Sequence, residues 1–365
     1  MRNQTLGLSA LFVLSLVVTA CGGSSADIKK VGLVTDVGTL EDKSFNEASW
    51  VGAQAGAAAL GGKASNIVTK APADYAANIK TFVDQGYGVI VTVGFAMGDA
   101  TTAAAKQYPK VKFVGVDQGV CIDETGKSDP TFACKGDPKT LLPNYQGLVF
   151  KEEQVGYLAG VLAGSVSKSG VIGTVGGINT IPAVVRYING YRNGAASVGI
   201  KPENVKVAYV STDITKAFND PGTGKSIGQQ MIGQKADVIF QVAGLSGAGA
   251  IEAACATPGV IGIGVDVDQS KSLPQSAKCI LTSAEKKLVD AVGAAIGKIG
   301  AKTDVGGTAV WDASTTPVGV GLSPFGSDYK DLVTPEIQAK IDAALAGMKD
   351  KTVDPCKPTA CDDKS

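Results

Sequence analysis

Short apolar runs rich in Val and Ile alternate along this chain with longer stretches whose apolar residues recur at helical spacing. The first half reads KKVGLVTD, SFNEASWVGAQAGAAAL, SNIVTK, DYAANIKTFVDQG, GVIVTVG, AMGDATTAAAKQYP and KFVGVD, strand and helix in turn. LVFKEEQVGYLAGVLAGSVS then reads as one helix, with Val155, Leu158, Ala159 and Leu162 on a single face. A second series follows: GVIGTVGG, IPAVVRYINGYRNGAASVG, KVAYVST, GTGKSIGQQMIGQ, DVIFQVAG, SGAGAIEAACAT and VIGIGVD. Strands that are β-branched and bounded by Gly or Asp predict parallel sheets buried on both faces. Two such series predict an α/β protein of two doubly wound parallel-sheet domains joined by a hinge. The expected N-terminal lobe is 29–148 plus about 283–312, and the C-terminal lobe is 149–282 plus about 313–352. CIDETGKSDPTFACKGDPK reads as a surface loop and 353–365 as a solvated tail.

The N-terminus changes the picture from a free to a tethered protein. Arg2 precedes an apolar stretch, Leu6 to Val18, too short to span a bilayer comfortably. It ends in Val18-Thr19-Ala20-Cys21, which resembles a bacterial lipoprotein cleavage site. Residues 1–20 are therefore read as a signal peptide, Cys21 as the lipidated N-terminus, and 21–28 as a flexible tether. The expected location is the cell membrane, lipid-anchored on the extracytoplasmic side. The whole chain has 34 basic and 34 acidic residues, and losing Arg2 barely tips that balance. Neither the charge nor any basic run points to nucleic acid.

Cysteine use agrees with export. Beyond Cys21 there are Cys121, Cys134, Cys255, Cys279, Cys356 and Cys361, an even set without the paired spacing of a zinc site. Proximity favours Cys121–Cys134, Cys255–Cys279 and Cys356–Cys361, although sequence alone leaves the connectivity open. The chain contains no histidine, which removes Ser-His-Asp and Cys-His catalysis together with His-ligated metals. No enzyme activity, metal or cofactor is expected.

Two motifs are decoys. NDPGTGKS lacks the first glycine of a phosphate-binding loop, Asn219 standing in its place, and Asp220 reads better as a helix N-cap. DVDQSKSLPQSA begins like a calcium loop, but Lys271 and Ala277 occupy the turn-glycine and bidentate-acid positions. GTVGG at 173–177 is explained as well by close strand–helix packing as by phosphate binding. The informative pattern is distributed: Asp36, Asp117 and Asp266 each end an apolar strand. A single such Asp is often a helix cap, but unpaired carboxylates at buried strand ends are costly. Three of them, where open α/β sheets bind ligands, point to a shared task in a cleft. Phe45 is an aromatic placed among polar residues just after the first of these strands, with Ser44 before it as a plausible helix cap.

GLVTDVGTLEDKSFNEASWVGAQ resembles the opening of the bacterial basic membrane protein family, the PnrA-like substrate-binding lipoproteins of ABC transporters. The likeness continues in order through LVFKEEQVGYLAGVLAG, GTVGG, INGYRNGA, FNDPGTGK, DVIFQVAG, IGIGVDVDQ and ILTSAEKK. It implies a fold like that of type I periplasmic binding proteins. The implied function is capture of a nucleoside, of the purine class, in an interdomain cleft and delivery to an ABC transporter permease. Carried over by position, Phe45 is the first stacking aromatic, Asp36 and Asn46 are polar contacts, Asp117 reads the base edge and Asp266 binds the ribose. A family lysine falls at Lys286 or Lys287, with Lys286 preferred, and Gly244 joins the site from DVIFQVAG. Phe218 is chosen as the opposing aromatic because it is expected to end a strand at the cleft edge, while Phe240 is assigned to the core. The segment Cys121–Cys134 is placed to cover the cleft mouth. The protein is expected to be a monomer. The alternatives are a sugar or other small polar ligand, or a ligand-sensing surface lipoprotein without a transporter.

Overall fold

The computed structural model describes residues 26–329 and 331–364. The signal segment and Cys21 lie outside the described residues. The last two residues expected for the tether already form strand, because β1 runs Asp27–Thr35. The first lobe continues with α1 (Phe45–Ala59), β2 (Lys63–Ile67), α2 (Tyr75–Asp84), β3 (Tyr87–Val93), α3 (Gly98–Gln107), β4 (Lys112–Val116), α4 (Pro138–Leu141) and β5 (Tyr145–Phe150). Next come α5 (Glu152–Val166), β6 (Ile172–Gly176), α6 (Pro182–Ser197), β7 (Val205–Tyr209), α7 (Ile214–Ala217), α8 (Pro221–Gly233), β8 (Val238–Val242) and α9 (Gly244–Cys255). The chain ends with β9 (Ile261–Asp266), α10 (Gln269–Ser272), β10 (Ile280–Lys286), α11 (Leu288–Gly300), β11 (Gly307–Trp311), β12 (Val320–Leu322) and α12 (Pro335–Lys349).

Two six-stranded sheets result, ordered β2-β1-β3-β4-β5-β11 and β7-β6-β8-β9-β10-β12. All pairings are parallel except β10 with β12. The central strands are buried on both faces, which is why Val31, Leu33, Val89, Val91 and Val114 read as unbroken apolar runs. Among the described residues the chain crosses between the lobes at Lys151, at Lys287 and through 312–319. These crossings bond to one another: Lys151 N–H donates to Trp311 O (3.0 Å), Lys287 N–H to Gly319 O (2.9 Å) and Gly319 N–H to Asp312 O (2.8 Å).

Several expectations need correction. All of β10 pairs in the second sheet, so the boundary placed near 283 falls after Lys286. Leu148–Phe150, read as the start of a helix, ends β5; a short apolar run does not reveal its period. Phe218 ends no strand but caps α7. The tail is exposed along much of its length, as expected, but it is not free. Asn189 Nδ2 donates to Ala360 O (3.0 Å) and Asp363 O (2.6 Å), and Asn193 Nδ2 donates to Pro355 O and Thr359 O (both 2.8 Å). The tail thus lies along α6, closed by the Cys356–Cys361 disulfide; Cys121–Cys134 and Cys255–Cys279 are also bonded. On its other side α6 meets α5 backbone to backbone: a Cβ on Gly160 would lie 2.1 Å from Tyr191 O. This packing fixes the start of α6, which reaches the interlobe cleft.

Candidate functional site

The carboxyl ends of the strands from both sheets face one another. Asp36 follows β1, Asp117 follows β4, Asp266 ends β9 and Lys286 ends β10. β4 and β9 hold equivalent places in the two sheet orders, and Asp117 and Asp266 share an unusual backbone, with φ of 57° and 65°. Aspartate is among the few residues that enter this left-handed region, where its short side chain can turn back across the strand end. Asp36 needs a glycine opposite it. A Cβ on Gly94 (φ 110°) would come 1.9 Å from Asp36 Oδ2.

The start of α1 is set by Asp42, not by Ser44. Asp42 accepts from the backbone N–H groups of Ser44 (2.9 Å), Asn46 (2.9 Å) and Glu47 (3.1 Å), satisfying helix-end donors that would otherwise be orphaned. Ser44 is thereby freed to reach the other lobe, donating to Asp266 Oδ2 at 2.6 Å. Ser272 Oγ (2.9 Å) and Gln269 Nε2 (3.3 Å) both donate to Lys43 O from the second lobe. The lobes are therefore in hydrogen-bonded contact along one side of the cleft.

Between them lies a cavity offering about 80 Å³ to the centres of water-sized molecules. The first lobe lines it with Asp36, Phe45, Asn46 and Asp117, and the second with Phe218, Gly244, Asp266 and Lys286. Every residue singled out for the ligand site therefore borders this one space. Phe240 is fully buried in β8, beside Tyr191. Lys287 pairs with Glu285 at the edge, whereas Lys286 is 2% exposed.

Lys286 organises the charge. Its Nζ donates to Asp117 Oδ2 (2.6 Å) and Glu152 Oε1 (3.3 Å) and lies 3.9 Å from Asp266 Oδ1. It also stands 4.8 Å from the centre of the Phe45 ring, within cation–π range. Burial would lower its pKa, but Asp117, Glu152 and Asp266 together raise it. Burial pushes Glu152 up to about 8 against the pull of Lys286, and pushes Asp36 up to about 7 against the Val37 N–H. Asp266 is raised by burial too, with Lys286 and Ser44 opposing. Asn46 contributes differently from a simple polar contact: its Nδ2 is committed to Val37 O and Thr39 O (both 3.0 Å), leaving only its carbonyl oxygen for the cavity.

Sequence reasoning missed Glu152, Asp42 and Tyr187. Glu152 opens α5, where an acid reads as a partner of the helix dipole. Tyr187 reads as core within an amphipathic helix, yet it lines the cavity while donating to Ala284 O at 3.1 Å. Among the described residues no group of His, Cys, Asp or Glu is arranged to hold a metal ion, and the calcium-loop lookalike is a cap in which Asp268 holds Ser270 N–H. Asp220 likewise caps α8 through Thr223 N–H (2.9 Å). The disulfide loop borders a second cavity beside the first, with Phe132 71% exposed at its rim.

Comparison with known proteins agrees with this architecture. The chain is 31% identical to the ABC transporter nucleoside-binding protein BmpA of Lactococcus lactis subsp. cremoris, covering 91% of this chain and 95% of that protein. It is 34% identical to basic membrane protein D of Borreliella burgdorferi, over 76% of this chain and 74% of that one. An ABC transporter solute-binding protein from Aeropyrum pernix superposes with a TM-score of 0.74 at 21% identity, covering 89% of this chain and 92% of the other. Residues 29–347 match the model of the Bmp family, described as ABC transporter substrate-binding protein PnrA-like, and the chain belongs to that family of substrate-binding proteins.

Proposed function

We propose that the protein captures a nucleoside, of the purine class, in the interlobe cavity and hands it to the permease of an ABC transporter from a lipid anchor on Cys21. The observation that carries this reading is the pair of aromatics Phe45 and Phe218, one from each lobe, bordering a cavity in which Asp36, Asn46, Asp117, Asp266 and Lys286 stand among apolar side chains such as Phe95, Ile181 and Val184. A nucleoside has a flat polarisable ring and a sugar rich in hydroxyl donors. Aromatic rings take the first, and carboxylates such as Asp266 suit the second, since a carboxylate accepts through both oxygens. In this reading Phe45 and Phe218 flank the base, Asp117 and Asn46 meet its edge, and Asp266 and Lys286 hold the ribose. The nucleoside-binding name of the Lactococcus relative favours the same ligand class over a free sugar.

Native mass spectrometry of gently purified protein, followed by calorimetry with nucleosides, free bases and sugars, tests the reading. Nucleosides are expected to bind more tightly than either of their parts. Binding of sugars alone, or no heat with any nucleoside, overturns it.

A further inference from the structure

The two ends of the first sheet differ in chemistry. Its strands run parallel, so the ends that carry Asp36 and Asp117 face the cleft and the starts lie together at the opposite edge. That far edge gathers Lys29 in β1, Lys63 opening β2, Lys110 before β4 and Lys302 before β11. All four are exposed, and none pairs with a carboxylate among the described residues. The acids nearby are engaged: Asp84 holds Lys80 and Asp304 holds Lys112, both at 2.6 Å, and Asp27 accepts the Lys29 N–H at 3.0 Å. The carboxyl end of α11 accounts for Lys302, but Lys29 and Lys63 sit on strands, where no helix dipole calls for a cation.

Aromatic and apolar groups lie among these charges. A groove offering about 270 Å³ to the centres of water-sized molecules runs between Ala26, Tyr87, Tyr108 and Pro109, and Val305 stands 56% exposed before β11. Rings with a polar tip settle at the headgroup level of a bilayer, and lysines are drawn to its anionic lipids. Charge alone does not choose this edge, because Lys168, Lys201 and Lys235 hold matching places before β6, β7 and β8 in the second lobe. The anchor does choose. Ala26 borders the groove and is five residues from Cys21, so a fully extended chain holds the two at most about 18 Å apart. β1, nine residues long, puts about 30 Å between the groove and the cavity, and the second lobe lies farther still.

Resting on the lipid anchor proposed above for Cys21, we propose that this edge of the first lobe is a membrane seat whose partner is an anionic bilayer surface. The four lysines meet lipid phosphates, while Tyr108, Pro109 and Val305 reach into the headgroup layer. The first lobe is then the stationary half, the cavity stands a strand's length above the membrane, and the second lobe is the half that swings.

The test is amine labelling read by mass spectrometry on the full chain, its acylation checked by intact mass, in phosphatidylcholine vesicles with or without phosphatidylglycerol. Labelling of Lys29, Lys63, Lys110 and Lys302 is expected to fall at least about threefold when phosphatidylglycerol is present, with Lys168, Lys201 and Lys235 unchanged. In the double variant Lys29→Glu, Lys110→Glu, both at exposed positions, Lys63 and Lys302 are expected to recover their labelling in the same vesicles. Equal shielding at both ends of the molecule, no shielding of the four lysines, or shielding that persists in the variant overturns the seat and leaves the anchor standing. A chain that is not acylated at Cys21 overturns both.

Discussion

Replacing Lys286 with methionine tests whether the cleft is organised by charge or by packing. Methionine keeps much of the aliphatic stem but removes the ammonium, which faces three carboxylates and lies 4.8, 5.4 and 5.8 Å from the ring centres of Phe45, Phe150 and Tyr187. Losing one partner of a buried ion pair costs about 3–5 kcal/mol when the other charge stays ionised. That full cost is expected only where the carboxylates are ionised, which makes the loss depend on pH. Removing Lys286 takes away a leading influence that holds Glu152 and Asp266 down, so their folded pKa values rise further above those of the unfolded chain. Between the ordinary carboxylate range and about pH 8 the folded variant then binds more protons than the unfolded one, and its stability falls as pH rises.

The assay is urea denaturation of ligand-free protein at pH 5 and pH 8, wild type beside Lys286→Met. The expected destabilisation is larger at pH 8 than at pH 5, where protonation relieves the unpaired carboxylates, and stays below the full cost of about 3–5 kcal/mol because Glu152, already raised to about 8 beside Lys286, is not fully ionised at either pH. Equal losses at the two pH values would refute the reasoning, because a packing defect has no reason to titrate.

Phe45→Ala should weaken nucleoside binding by about 1–3 kcal/mol, roughly five- to 150-fold, with little change in melting temperature, since α1 is capped by Asp42 rather than by the ring. Calorimetry with a thermal melt checks it, and unchanged affinity would remove Phe45 from the site. Asp266→Asn should harm a riboside far more than its free base in the same titration; equal losses would contradict a ribose contact. Asn193→Ala, which unpins the tail from α6 at Pro355, Thr359 and the Thr359 N–H, should raise hydrogen exchange in 353–364 without altering ligand affinity. An unchanged exchange rate there would show that Asn189 and the disulfide hold the tail without Asn193.

The sheets were legible because parallel strands buried on both faces announce themselves as β-branched runs, and the strand-end aspartates followed from the cost of burying carboxylates. What stayed illegible depended on partners distant in sequence. Lys286 and Lys287 cannot be separated until the end of β10 is known, for alternation sends successive side chains to opposite faces. Ser44 looks like a cap because its real partner, Asp266, lies in the other lobe. The tail's anchoring is illegible because its composition is polar, while the groups that bind it, Asn189 and Asn193, are about half a chain away and belong to a helix that reads as amphipathic. Each of these three is a polar group or segment whose partner no local pattern names.

The same long-range pairing bears on how such a cleft can open and close. Lys286 belongs to the second lobe, and its shortest contact, Asp117, belongs to the first. Opening therefore separates a buried ion pair, a loss offset by water returning to both charges. Two lobe-spanning hydrogen bonds to Lys43 O and one from Ser44 to Asp266 separate at the same time. The closed arrangement, however, leaves Asn46 Oδ1 and Asp117 Oδ1 buried and unmet. Closing without a ligand makes the interlobe bonds but strands these acceptors, whereas closing over a ligand that donates to them makes the same bonds without that cost. The difference falls entirely on the closed state, and a ligand shifts a two-state equilibrium only by such differential affinity. Under the proposed ligand reading, the stranded oxygens would let a donor-bearing ligand, rather than the interlobe contacts alone, bias the hinge toward closure.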